Sequence, residues 1–229
     1  MRYLSLAILL IFGEIMIMEA YYKMLESFIP AKLKVQLKEK GSILEGVKYV
    51  VLSSLAIVGA ISLYLLLFVI GFGLFFIFTG TLDRGLYLLL IFMGSIIAFL
   101  IAVPLLSVIC SFLWCIIIFI FCKMLGGKGS FTGQYYHLAI IGGALNILTA
   151  ISVGIPCLGR PVTMVLNLYY LYPSFLVYKK IHKLSDIRAG AVAVFPLLIG
   201  IILFILYLIL VVFYTVLDVQ QGMQQGVLT

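Results

Sequence analysis

The chain has 229 residues, of which 65% are hydrophobic and only 10% are charged, and its mean hydropathy is +1.31. A soluble domain carries roughly 25% charged residues, so the composition excludes an ordinary soluble protein and indicates a chain dissolved in a lipid bilayer. The net charge of +7 does not predict nucleic-acid binding, because the basic residues lie at the ends of apolar segments rather than on one face. The partners that it predicts are the bilayer and anionic lipid headgroups.

Six long apolar segments follow one another along the chain. They are residues 3–18, 49–80, 86–122, 138–158, 162–178 and 189–217. None shows the alternation of a membrane β-strand, and lipid cannot satisfy an exposed backbone, so each is expected to be helical. The predicted fold is an all-α, polytopic transmembrane helical bundle.

Residues 1–29 are the first predicted unit, an apolar segment followed by a linker. The apolar run after Arg2 resembles a signal sequence, but no cleavage site with small residues follows it. Three interpretations stay open: a sixth span, a helix in the membrane interface, or an incorrectly assigned start with the native methionine at Met16 or Met18.

The positions of the basic residues predict how many times the apolar segments cross the membrane. They form three clusters, which are Lys23, Lys32, Lys34, Lys38, Lys40 and Lys48, then Lys123 and Lys128, then Lys179, Lys180, Lys183 and Arg188. If 49–80 and 86–122 each cross once, the clusters share one side, and only Arg84 and Arg160 lie opposite. Because basic loops favour the cytoplasm, five core spans are predicted in the cell membrane, with a cytoplasmic basic face. The C-terminus, with the polar tail 218–229, is then outside.

With residues 72–103 included, the apolar chain is longer than the predicted membrane crossings need. A continuous helix over 86–122 would be roughly 55 Å long at 1.5 Å per residue, whereas the hydrocarbon core is about 30 Å thick. We therefore expect the return crossing to begin near Pro104. Residues 72–103 would form a re-entrant, interfacial or strongly tilted helix on the far side.

Two loop segments invite a functional interpretation. Residues 32–48 alternate lysine with apolar residues, which indicates either an amphipathic segment on the membrane surface or a solvated linker. The run Gly126–Phe131 resembles a phosphate-binding loop, but Lys128 is followed by glycine and helices flank the run, so a nucleotide site is not predicted. A tight cytoplasmic turn is expected, with Ser130 or Thr132 capping the next helix.

Polar side chains within the spans are few. His137, Asn146 and Asn167 could contribute to a solute path, or could join helices by hydrogen bonds, and both interpretations stay open. The chain has only two histidines and eight acidic residues, and they form no known catalytic or metal-binding pattern. No catalytic residue, cofactor or metal site is therefore predicted.

The order of these signals resembles the Yip domain family, the Rab-GTPase-interacting, membrane-trafficking type. A proline and a basic segment precede the first core span at Pro30–Lys48, and the glycine-rich turn Gly126–Phe131 follows the second. A proline-containing outer turn at Pro156–Pro161 is also similar to the family. So is a tyrosine-rich span that ends in Ile181–Ser185, with Arg188 beyond it. The resemblance covers residues 30–217 and is strongest to the short prokaryotic, especially archaeal, form.

The resemblance implies a non-enzymatic membrane protein that organises or shapes membranes, or scaffolds partners, as a homo-oligomer or with other membrane proteins. The family's Rab association transfers poorly, since this chain has almost no cytosolic domain. The alternative is a small-solute transporter or channel, which the glycine-interrupted spans and the two asparagines favour. The candidate functional or packing residues are Gly126, Gly127, Lys128, Gly129, Ser130, Phe131, His182, Lys183, Leu184, Ser185, Arg188, Asn146 and Asn167.

Overall fold

The structure is a computed structural model that describes residues 16–79, 82–153, 155 and 158–224. Within these ranges every regular element is a helix, so the all-α prediction is confirmed for them. The helices are α1 (16–27), α2 (Pro30–Gln36), α3 (Ile43–Phe78), α4 (Leu82–Met124), α5 (Phe131–Val153), α6 (Gly159–His182) and α7 (Asp186–Gln224). Most of the first apolar segment lies outside the described residues, as does much of the predicted outer turn with Pro156.

Four helices are long and apolar enough to cross a membrane. They are Ile43–Gly71 in α3, Gly94–Met124 in α4, Phe131–Ser152 in α5 and Asp186–Leu217 in α7. These helices agree with an integral membrane protein. The predicted span 162–178 lies in α6, which has 24 residues but is more polar and is not among the four.

The expected helix break before Pro104 is wrong. Helix α4 runs without interruption from Leu82 to Met124 and contains Pro104, so 82–103 is neither a re-entrant segment nor a separate helix. A proline removes a single backbone hydrogen bond, whereas a break in apolar surroundings would leave several polar groups unpaired. The length argument failed because a long apolar helix can tilt, or can project beyond the hydrocarbon core.

Helix α5 is the centre of the bundle. Of its spanning window 61% is buried, against 24% or less for the other three candidate spans. Helices α3 and α6 pack on it, α4 packs on α3, and α7 packs on α6. Gly143 lets α1 pack closely against α5, since a Cβ at this position would lie 2.3 Å from Met24 Sδ.

Helices α1 and α2 form a hairpin that packs into the bundle. Met24 is fully buried, and the Tyr21 hydroxyl donates a hydrogen bond to Leu52 O at 2.8 Å. The Tyr169 hydroxyl donates to Phe28 O, also at 2.8 Å. Residues 32–48 thus contain most of α2, in which Leu33 is buried, and the first residues of α3, so the segment is not a solvated linker along its whole length.

The contact between Gly143 and Met24 can be tested directly. Gly143→Val should lower the thermal midpoint Tm in detergent, because the added carbons would overlap Met24, at a cost of about 1–3 kcal/mol. Met24→Ala in the same chain should relieve part of this loss. Gly59→Val is the matched control, since a Cβ at Gly59 meets nothing within 4 Å. An equal loss in the Met24 and Met24→Ala backgrounds would contradict the packing.

Candidate functional site

The glycine-rich turn ends α4 with a specific hydrogen-bond pattern. Gly126 has φ +86°, a left-handed conformation that glycine adopts without strain. Its N–H donates to Lys123 O at 3.0 Å, and the Gly127 N–H donates to Cys122 O at 2.9 Å. These two bonds are the Schellman closure of a helix C-terminus. The predicted tight turn is present, and the Ser130 hydroxyl caps α5 by accepting from the Gly133 N–H at 3.2 Å.

The turn packs directly against the end of α6. A Cβ at Gly127 would lie 3.0 Å from His182 Nδ1, and one at Gly129 would lie 2.6 Å from Ile181 O. The Lys128 N–H donates to His182 O at 2.9 Å. The two loops that the sequence singled out separately are therefore in contact, and the glycines are needed because α6 approaches the backbone.

His182 forms the centre of a buried polar junction. Its Nε2 lies 2.6 Å from Gln134 Oε1, and Gln134 Nε2 donates to Cys115 O at 3.1 Å. Both His182 and Gln134 are fully buried. An amide oxygen can only accept, so His182 carries its proton on Nε2. Its Nδ1 has no hydrogen-bond partner within the described chain.

His182 is uncharged at neutral pH. Burial is the main cause that lowers its pKa to about 4, and the nearby Lys123 ammonium lowers it further. The junction therefore acts as a neutral hydrogen-bonded link between α6, α5 and α4. Gln134 was missed by sequence reasoning, because a glutamine in the first turn of a span looks like an interfacial residue.

The other loop candidates stabilise the same end of the bundle. Arg188 Nη1 donates to Leu125 O at 3.0 Å, and Leu184 is buried. Ser185 O accepts from the Ala189 N–H at 2.9 Å as α7 begins, and Lys183 ends α6 at φ 54°. Phe131 packs edge-on against Phe112 and Phe119, at ring distances of 5.2 Å and 5.5 Å.

The two candidate asparagines do not share a site. Asn146 Nδ2 in α5 donates to Ser53 Oγ in α3 at 3.3 Å, so it joins two helices. Asn167 is exposed and donates to Thr163 O in its own helix at 2.8 Å. A common solute path around both residues therefore has no support in this structure.

Asn146 borders a cavity of about 370 Å³ in the middle of the bundle. Helices α3 to α7 all contribute to its wall. The wall's serines are Ser53, Ser107, Ser111 and Ser174. None of the described residues that line it is charged. Sequence reasoning missed the cavity, because isolated serines in apolar helices also occur wherever helices pack closely.

The cavity and the junction share a wall. Cys115 lines the cavity, and it also accepts both hydrogen bonds from Gln134 Nε2, through its carbonyl oxygen and its Sγ at 3.3 Å. The turn, His182, Gln134 and the cavity therefore form one continuous region, which we take as the candidate functional site.

A second polar cluster lies between the N-terminal hairpin and α5. Lys23 Nζ forms an ion pair with Glu39, whose carboxylate also accepts a hydrogen bond from the Tyr136 hydroxyl at 3.2 Å. Burial alone would lower the pKa of Lys23, but the bonds to Glu39 and Tyr136 raise it above its usual value. Next to this cluster, His137 is buried and neither ring nitrogen has a partner in the described chain.

Over the part of the chain that the structure describes, the fold and these contacts define a helical bundle with four helices suited to cross a membrane and a cavity whose described lining residues are uncharged. Comparison of the chain with family models, with curated proteins and with solved structures found no match in any of the three. The resemblance to the Yip domain family therefore stays a prediction. Among the described residues, no three His, Cys, Asp or Glu side chains are placed to hold a metal ion.

Gly129→Ala should destabilise the protein. The added Cβ would meet Ile181 backbone atoms at 2.6 Å and 2.9 Å, and backbone cannot move aside as a side-chain end can. We expect a loss of about 1–3 kcal/mol, measured as a lower Tm in detergent. Gly200→Ala is the control, since its Cβ would meet nothing within 4 Å. A loss no larger than in this control would contradict the close approach.

Acidification should destabilise the protein through His182. The imidazole has a usual pKa of 6.5 when unfolded and about 4 when folded, so between these values the unfolded chain binds the proton first. Its stabilising contribution is present above pH 6.5 and is lost as the pH falls towards 4. The Tm should therefore fall between pH 7 and pH 4.5. His182→Gln should show a smaller fall, and equal falls in both proteins would contradict the assignment.

Proposed function

We propose that the protein is a non-enzymatic integral membrane protein that organises or shapes membranes, or scaffolds membrane partners. One observation carries this proposal. Every residue of α7 from 200 to 217 is exposed, and nearly all of them are apolar, over about five turns of helix. A helical segment that is apolar on all sides and exposed along its whole length is covered by lipid or by another membrane protein.

The lengths of the helices support an effect on membrane shape. Helices α3 and α4 have 36 and 43 residues, which correspond to about 54 Å and 65 Å, whereas the central α5 has 23 residues and is about 35 Å long. Apolar helices longer than the hydrocarbon core tilt or locally thicken the bilayer. Because one chain contains helices of both lengths, a bilayer thickness that matches α5 does not match α3 and α4.

The topology that we propose has five crossings, with α6 as the fourth. It is supported by contacts that gather the basic clusters at one end of the bundle. Lys128 contacts His182, and Arg188 contacts Leu125, which brings the second and third clusters together. Lys23 meets α5 near its start, at Tyr136. We assign this end to the cytoplasm and α7's far end to the outside of the cell membrane.

The partners that we propose are the bilayer, further copies of the chain or other membrane proteins. Exposed lysines at the basic end would attract anionic lipid headgroups, with a contribution of about 1 kcal/mol for each lysine near the surface. They include Lys34, Lys38, Lys40, Lys128, Lys180 and Lys183.

Small-solute transport is a second candidate function. The observation that favours it is the cavity bordered by Asn146, because transporters bind their solutes between helices within the bilayer. Uptake of solute into proteoliposomes is its direct test. The scaffold proposal ranks first because the exposed apolar surface is far larger than the cavity region.

The scaffold proposal predicts self-association through one face of α7. In liposomes, energy transfer between chains labelled at the C-terminus should be saturable. It should fall in only one of two double variants, Leu206→Trp with Ile209→Trp or Leu208→Trp with Val211→Trp, which lie on opposite faces of the helix. Each variant is the other's matched control.

Membrane shape is measured on the same samples by electron cryomicroscopy. The proposal expects vesicle diameters that differ from those of protein-free liposomes, most of all in thin bilayers, where the long helices are least matched. If energy transfer is absent and vesicle shape is unchanged, the protein neither scaffolds nor shapes membranes.

A further inference from the structure

The central cavity offers a particular combination of hydrogen-bonding groups. The hydroxyls of Tyr135 and Ser174, which line it, are almost fully buried. Neither hydroxyl makes a hydrogen bond of ordinary geometry within the described chain, although Ser111 lies near the Tyr135 hydroxyl and Tyr170 lies near the Ser174 hydroxyl. A buried polar group without a hydrogen-bond partner destabilises the folded protein, so these two hydroxyls favour a bound molecule that pairs with them.

Other lining groups supply acceptors. The Ser53 and Ser111 hydroxyls donate to Val50 O and Val108 O in their own helices, both at 3.0 Å, and each hydroxyl oxygen still has a lone pair that can accept a hydrogen bond from a ligand. Asn146 already donates to Ser53. The cavity therefore presents both donors and acceptors, as a molecule with several hydroxyl groups requires.

The charge and the apolar area of the lining residues restrict the chemical class of the ligand further. None of the described residues that line the cavity carries a charge, so an ionic ligand would be desolvated without compensation. Leu138, Leu145 and Leu171 form apolar parts of the wall, and Trp114 adds a large aromatic surface. Such walls favour a compact carbon frame over water alone.

We infer that this cavity binds an uncharged polyol or glyceryl group, in which two or three hydroxyl or ether oxygens are bonded to a small carbon skeleton. A volume of about 370 Å³ corresponds to roughly ten waters, which is enough for such a group. The group belongs either to a free polyol or to the head of an uncharged glycerolipid. Trp114 lines the cavity and is 38% exposed.

The inference goes beyond the proposed function. It depends on the cavity alone, so it holds for a scaffold and for a transporter, and failure of the α7 experiments leaves it unaffected.

The sole tryptophan of the chain, Trp114, reports binding directly. The full-length protein in phosphatidylcholine nanodiscs is titrated with glycerol, with inositol and, in separate samples, with diolein. Tryptophan emission and native mass spectrometry are recorded. A saturable emission change with a bound mass is expected for glycerol or inositol if the source is a free polyol, and for diolein if it is a lipid head.

Two variants connect binding to the cavity. Gly142 lines it, and a Cβ there would meet nothing within 4 Å, so Gly142→Leu should fill the space without a backbone clash and weaken binding at least about tenfold. Ser174→Ala removes an unpartnered hydroxyl and should weaken binding about threefold to tenfold while leaving the fold intact. Gly200→Leu, on the exposed surface of α7, is the matched control and should bind as the native chain does.

The inference is overturned if no probe gives a saturable change, or if Gly142→Leu and Ser174→Ala both bind as tightly as the native chain. It is also overturned if phosphatidic acid, whose charged phosphate is attached directly to the glyceryl frame, competes as well as diolein and the free polyols. If Gly142→Leu does not fold, Ser174→Ala decides the outcome.

Discussion

The rest of the structure depends on the close approach of α6 to the turn after α4. Gly127 and Gly129 let the backbone of this turn lie against His182 and Ile181, and the Lys128 N–H bonds to His182 O. This single contact fixes where α4 and α6 end and where α5 and α7 begin. Without it, the buried imidazole would lack the surroundings that keep it neutral, and Gln134 would lose the partner that orients it towards Cys115.

Sequence reasoning predicted the two loops that form this contact, but it did not predict the contact itself. The turn at Gly126–Phe131 and the loop at His182–Ser185 were both predicted, because glycine and polar residues between apolar segments mark loops. Their contact could not be predicted, since it depends on backbone distances between segments about fifty residues apart. The break before Pro104 was predicted wrongly, because a rule based on bilayer thickness was given more weight than the cost of unpaired backbone groups in lipid.

The N-terminal hairpin shows another limit of the sequence pattern. Lysines alternating with apolar residues over 32–48 indicated either a surface segment or a solvated linker, and neither interpretation predicted that Leu33 is buried in the same core as Met24. The charges are tolerated because Lys23 pairs with Glu39, which also accepts from Tyr136, and Lys32 pairs with Glu26. Such pairing is a tertiary property. A single sequence without relatives gives no signal for it, and it likewise gives none for the hydroxyls that meet in the central cavity.

Two of the helices that line the cavity, α4 and α7, also carry exposed apolar surface. In α4, Ser107, Ser111, Trp114 and Cys115 line the cavity, while Leu105, Leu106 and Ile109 are exposed to the surroundings. In α7, Ala193 and Pro196 line the cavity, and the exposed run begins one turn later. Whatever covers the outer parts of these helices, lipid or a second chain, therefore acts on elements that also set the width of the cavity. The two proposals are tested separately, but the physical basis of both is the way that α4 and α7 leave the core formed around α5.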